Sequence, residues 1–280
     1  MRNNRSFFLV TMLAFGFAFL YGPILSLIIF SFNKSKLVTV WGGFSTKWYG
    51  ELLRDDQIIE AALISLRIAI VNATFAVALG TLAGMALARF GRFRGRTLFS
   101  GMVTAPLVMP EVITGLSLLL LFVSLEQMIG WPSGRGITTI TIAHITFSMA
   151  YVAIIVQSRL SGLDESIEEA ALDLGARPAK VFFFITLPII SPALVSGWLL
   201  AFTMSLDDLV IASFVSGPGS STLPMVIFSK VRLGVSPEVN ALATIIVVLV
   251  TIGIVAAGWV TSRQEKARER DVQQALSGNL

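Results

Sequence analysis

The sequence predicts an all-α, polytopic membrane protein with six transmembrane helices, and three observations carry that expectation. Hydrophobic residues make up 55% of the 280 positions against 14% charged, and the mean hydropathy of +0.80 lies outside the balance of a water-soluble domain. Six apolar stretches are long enough to cross about 30 Å of hydrocarbon at about 1.5 Å per helical residue. All but one of the 21 lysines and arginines, Arg67, fall in the connections between those stretches or at the chain ends.

Taken in order, the spans are expected at about 7–32, 62–88, 98–123, 137–157, 187–215 and 240–261. Together they form one transmembrane domain over 1–261, with a loop at 158–186 inside it and a charged tail at 262–280. The first stretch follows Arg2 and Arg5 as a signal peptide would, but its apolar run is too long and carries no A-x-A cleavage site, so it reads as a retained anchor. The third holds Pro106 and Pro110, four apart, which remove backbone donors and bend or break a helix. The fourth contains the lone histidine, His144, which reads as a packing residue. Trp41, Trp48, Tyr49 and Trp131 fall at the outer boundary, as an aromatic belt would. The tail reads as a short charged helix with no role beyond solvation.

Orientation follows from the basic residues. The N-terminus, the loops after the second and fourth spans and the tail carry the larger share: Arg2, Arg5, Arg89, Arg92, Arg94, Arg96, Arg159, Arg177, Lys180, Arg263, Lys266, Arg268 and Arg270. The other side holds only Lys34, Lys36, Lys47, Arg54, Arg135, Lys230 and Arg232, so both termini are expected in the cytoplasm. The pI of about 9.7 is thereby explained by topology and gives no reason to invoke nucleic acid. With no cysteine there is no disulfide or thiolate chemistry, and with a single histidine no metal site is expected. No G-x-x-x-x-G-K-[ST] occurs, so the chain cannot cradle ATP phosphates, and any ATP-derived energy comes from a partner.

The loop at 158–186 is the most informative segment. It contains GLDESIEEAALDLGARPAKVFFFITLP, a helix, a break and a second helix. Asp164 or Ser166 can cap the first helix, Glu165, Glu168 and Glu169 suit its positive N-terminal dipole, and Gly175 suits a left-handed exit ahead of Pro178. Ile167, Ala170, Ala171 and Leu174 then share one face, a small apolar stripe that a partner groove can approach closely. A helix lying on lipid headgroups is the competing reading, but its polar face is expected to be basic and this one is acidic.

Glu169-Ala170-Ala171, then Gly175, then Ile185, Leu187 and Pro188 match every position of a signature with which this chain resembles the permease subunits of binding-protein-dependent ABC importers: EAA, three residues, G, nine residues, I-x-L-P. Segments such as TAPLVMPEVITGLSLLLLF and SLDDLVIASFVSGPGSSTLPM are similar to the polyamine branch of that family. The resemblance implies that 166–175, beginning at Ser166, is a coupling helix that inserts into a separate ATP-binding subunit. It also implies ATP and Mg on that ATPase dimer, a second homologous permease, a periplasmic polyamine-binding protein, and putrescine or another polyamine as cargo crossing the inner membrane by alternating access. The chain itself is then a transport subunit and no enzyme.

Three acids lie within expected spans: Glu111 after the two prolines, and Asp207 and Asp208 in the fifth. A carboxylate at a helix centre costs about 2.5–3.5 kcal/mol on insertion scales, so such groups face a cavity or a partner. Adjacent residues point about 100° apart on a helix, so one of Asp207 and Asp208 can line a pathway while the other caps a broken helix. An excess of acids over Arg67 suits a cationic passenger; an Arg67–Asp pair with a purely structural Glu111 is the alternative. A permease for another small solute and a self-sufficient cation-coupled transporter remain the rival functions at this stage.

Overall fold

The computed structural model describes residues 2–37, 40–234, 237–253, 255 and 259. Among them there are helices and one isolated bridge, Asn33 to Phe44, and no strand. The helices are α1 (Arg2–Ser31), α2 (Lys47–Leu52), α3 (Asp56–Arg89), α4 (Arg96–Val108), α5 (Glu111–Ile129), α6 (Ile137–Ser161), α7 (Ser166–Asp173), α8 (Pro178–Val181), α9 (Leu187–Leu206), α10 (Val210–Val215), α11 (Leu223–Leu233) and α12 (Pro237–Gly253), with a π-helical turn, Phe182–Thr186, joining α8 to α9. Among the described residues five stretches are long and apolar enough to cross a membrane: Phe7–Ser31, Asp56–Arg89, Glu111–Ile129, Ile137–Ser161 and Pro178–Leu206. The shorter α12 stands at the expected sixth; beyond 253 that stretch is described only at 255 and 259, and the tail at 262–280 lies outside the described residues.

Two expected spans are each divided between two helices. The chain leaves helical geometry at Met109, and Pro110, which has no N–H to continue a helix, caps α5. Glu111 therefore stands in the first turn of α5, where a carboxylate faces the positive end of the dipole. The second break covers Asp207, Asp208 and Leu209, between α9 and α10.

The chain forms two compact parts. One comprises the described residues of Met1–Asp56 and Ser229–Leu280. In it, α1 carries ring pairs one turn apart, Phe15 with Phe19 and Phe17 with Tyr21, at 6.4 and 5.9 Å between centroids. The loop after α1 is organised by Asn33, whose side chain donates to the carbonyls of Leu37 and Val40 and accepts from the N–H groups of Ser35 and Gly42. Trp48 is buried and donates its indole N–H to the Asn33 carbonyl at 2.6 Å, and Tyr49 bonds Ser31. Of the four aromatics expected in a belt, these two serve the loop's own packing, while Trp41 and Trp131 are exposed.

The other part, Gln57–Phe228, has α6 at its centre. An apolar helix with no polar stripe belongs in an interior, and α6 is packed by α3, α4, α9 and α10. Small residues allow α3 and α6 to touch backbone to backbone: a Cβ added at Gly84 would lie 2.6 Å from the Ala153 carbonyl oxygen, and one at Gly80 2.9 Å from that of Met149. Where lipid removes the hydrophobic drive for helices to associate, such close van der Waals contact takes its place. Asn72 adds a polar link, donating to Ser148 on α6 and to the Ala201 carbonyl on α9.

Candidate functional site

The first candidate surface is built on α7. Asp164 accepts the Ser166 backbone N–H at 3.0 Å, and this bond together with the Ser166 hydroxyl holds the Asp164 carboxyl below its usual pKa. The C-terminus closes as a Schellman motif: the Gly175 N–H reaches the Leu172 carbonyl and the Ala176 N–H that of Ala171, with Gly175 at φ +85°. Between these caps Ser166, Ile167, Glu169 and Ala170 are exposed and Ala171 is half-buried, while Leu174 is 90% exposed. The apolar face expected from the spacing is thus present and exposed among the described residues. Ile185 lies half-buried in the π turn, Leu187 half-buried at the start of α9, and Pro188 exposed in its first turn.

Sequence reasoning missed what holds α7 in place. Arg89, the last residue of α3, directs Nη1 to Glu165 at 2.8 Å and Nε to Glu168 at 3.0 Å. Glu168 in turn accepts the Thr186 hydroxyl at 2.8 Å. In the sequence Arg89 bears only on topology; the signal for its role is the i, i+3 spacing of Glu165 and Glu168, which sets both acids on one edge of the helix within reach of a basic loop.

The second candidate is a cavity of about 310 Å³ lined by Glu111, Phe147, Met204, Asp207, Asp208, Leu209 and Val210. It gathers all three acids singled out in the sequence, because the break before α5 and the break after α9 meet there. The two aspartates divide their work. Asp208 accepts the backbone N–H groups of Ile211 and Ala212 at 3.3 and 2.7 Å, capping the start of α10, and takes a contact of 3.1 Å from His144 Nε2. His144, 2% exposed, completes its bonding at Nδ1 with the Ser205 hydroxyl at 2.7 Å, as a satisfied packing histidine does. Asp207 is exposed toward the cavity and neither aspartate pairs with Arg67 among the described residues. No three His, Cys, Asp or Glu side chains among the described residues come together closely enough to hold a metal ion.

The fold finds counterparts among known proteins. The model of a family described as "Binding-protein-dependent transport system inner membrane component" matches residues 76–269. The chain is 63% identical over 276 residues, 98% of each protein, to the putrescine transport system permease protein PotI of Escherichia coli (strain K12). It is 43% identical over 257 residues, 92% of this chain and 95% of the relative, to the spermidine/putrescine transport system permease protein PotC of the same organism. A solved bacterial ABC transporter involved in the import of the acidic polysaccharide alginate shares the fold at a TM-score of 0.70 and 18% identity, covering 92% of this chain and 96% of that one. A match of this extent makes the chain a member of the family of inner membrane components of binding-protein-dependent transport systems, the multi-pass permease subunit of an ATP-driven importer and not an enzyme.

Proposed function

We propose that this permease carries putrescine or a closely related polyamine from the periplasm to the cytoplasm, as half of a pathway completed by a second, homologous permease. The observation that carries the reading is the cavity that brings Glu111, Asp207 and Asp208 together in a chain so similar to the putrescine permease of Escherichia coli. A diammonium ion needs fixed negative charge in a medium that solvates it poorly, and carboxylates spread along a cavity supply it. Asp207, whose carboxylate does not cap the start of α10 as that of Asp208 does, is the residue positioned to meet the passenger, with Glu111 beside it and Asp208 shaping the wall.

The exposed Ile167, Ala170 and Leu174 face of α7 supports docking in a groove of an ATP-binding subunit, the helix-in-groove mode. In this reading the residues from Ser166 to Gly175 are the coupling helix, with both chain termini on the same cytoplasmic side. ATP and Mg bind the ATPase dimer, whose closure draws the coupling helices of the two permeases together and opens the pathway to the periplasmic binding protein.

The test is uptake of labelled putrescine into proteoliposomes holding the assembled importer, with ATP enclosed and the binding protein outside. ATP-dependent accumulation that Asp207→Asn reduces supports the reading. Accumulation by this chain alone, without ATP or partners, overturns it in favour of a self-sufficient transporter.

A further inference from the structure

Glu168 stands between two membrane helices and the docking helix that carries it. Its Oε2 faces Arg89 Nε at the end of α3, and its Oε1 accepts the hydroxyl of Thr186 in the π turn that leads into α9. The Arg89 and Glu168 side chains are only 10% and 20% exposed and Thr186 is buried, whereas Glu165, the other partner of Arg89, is 60% exposed. Water therefore screens the Arg89–Glu165 contact but scarcely the Arg89–Glu168 one, and losing a member of the shielded pair leaves a buried charge behind. The Nε and Nη2 of Arg89 are both buried with no hydrogen-bond partner among the described residues, so Nε meets Glu168 as a charge pair at 3.0 Å while Nη1 donates to Glu165, and these two contacts offset the cost of burying the guanidinium.

Both elements that Glu168 touches are firmly set in the bundle. The half of α3 that ends at Arg89 lies against the α6 backbone at Gly80 and Gly84, and Leu87 is buried with Val103 and Ala153. The chain entering and leaving α7, by contrast, is short, irregular and interrupted by Gly162 and Gly175. Without side-chain links, α7 would be attached to the membrane helices by those two connections alone.

We propose that Arg89, acting through Glu168 and Thr186, is the joint that makes the docking helix move as one body with α3 and α9. It is a positioning residue: it touches neither cargo nor ATPase, and it passes the displacement of α7 into the membrane helices. The inference rests on the reading of α7 as the helix that docks on an ATPase.

The experiment uses the complete importer in proteoliposomes and three readouts: co-purification of the ATPase, uptake of labelled putrescine, and stimulation of ATP hydrolysis by loaded binding protein. For Arg89→Ala, and for the milder Glu168→Gln should the first variant fail to assemble, the ATPase remains bound. Uptake falls about tenfold and stimulation is lost with it, the size of effect expected when a coupling network loses one member. Exchanging the two charges, Arg89→Glu with Glu168→Arg, restores a substantial part of uptake relative to Arg89→Glu alone. Wild-type uptake and stimulation in both Arg89→Ala and Glu168→Gln overturn the proposal, and so does loss of the ATPase from both. Leu174→Asp, run alongside, separates the two readings. Retained ATPase there overturns docking by α7, and the joint falls with it; loss there with wild-type behaviour of the Arg89 and Glu168 variants overturns the joint alone.

Discussion

His144 Nε2 lies 3.1 Å from Asp208 Oδ2, and the same carboxylate accepts two backbone N–H groups at the start of α10, so one side chain ties α6 to the broken end of the fifth apolar segment. A carboxylate can only accept, so His144 donates from Nε2, and its Nδ1 pairs with the Ser205 hydroxyl. Asp207, one residue earlier, has no such duty. Charge removal at the two positions should therefore be felt differently.

Asp208→Ala removes a helix cap, which costs about 1 kcal/mol, and strands a buried imidazole N–H as well. A lower melting temperature in detergent is the expected result, together with reduced uptake. Asp207→Asn should leave the melting temperature unchanged and reduce uptake alone. Wild-type uptake for Asp207→Asn would remove that carboxylate from the pathway.

Leu174→Asp puts a charge at the C-terminal end of the exposed apolar face of α7. The expected outcome is loss of ATPase co-purification with the permease still folded in the membrane. Gly175→Ala acts through the backbone instead: φ of +85° is strained for any residue with a Cβ, at a cost of about 1 kcal/mol, so α7 ends less sharply and coupling weakens. Circular dichroism on both variants should match the parent protein.

Gly84→Val forces a side chain into the Ala153 carbonyl. Overpacking of this kind costs about 1–3 kcal/mol, and because the clash is with backbone the helices must separate. A lower melting temperature and a smaller yield of assembled importer are expected, with Gly80→Val behaving similarly. Gly16, which has nothing within 4 Å of an added Cβ, supplies the neutral control as Gly16→Ala.

Asn72→Ala deletes a donor shared between Ser148 and the Ala201 carbonyl. Hydrogen bonds between membrane helices are worth about 0.6–1.7 kcal/mol, so thermal unfolding in detergent should shift by a few degrees without change of ATPase binding.

Hydropathy, proline positions and the EAA spacing are properties of short windows, and they were enough to predict an all-helical membrane chain, the breaks near Pro110 and within SLDDL, and the apolar face of α7. Each depends on what a residue does to its own helix within a few positions. Even the division of labour between Asp207 and Asp208 was open in the sequence as a choice of two, since a helix turns by about 100° per residue. Which aspartate took the cap depended on where α6 brought His144, 64 positions away. The sequence by itself also left Arg89 as one more basic residue at a membrane boundary. Only the tertiary structure decided that it reaches Glu165, 76 positions on, and Glu168, because a 34-residue α3 held against α6 by Gly80 and Gly84 ends beside the docking helix. Local chemistry selects helices and their ends; the pairing of distant charges waits on how closely those helices can pack.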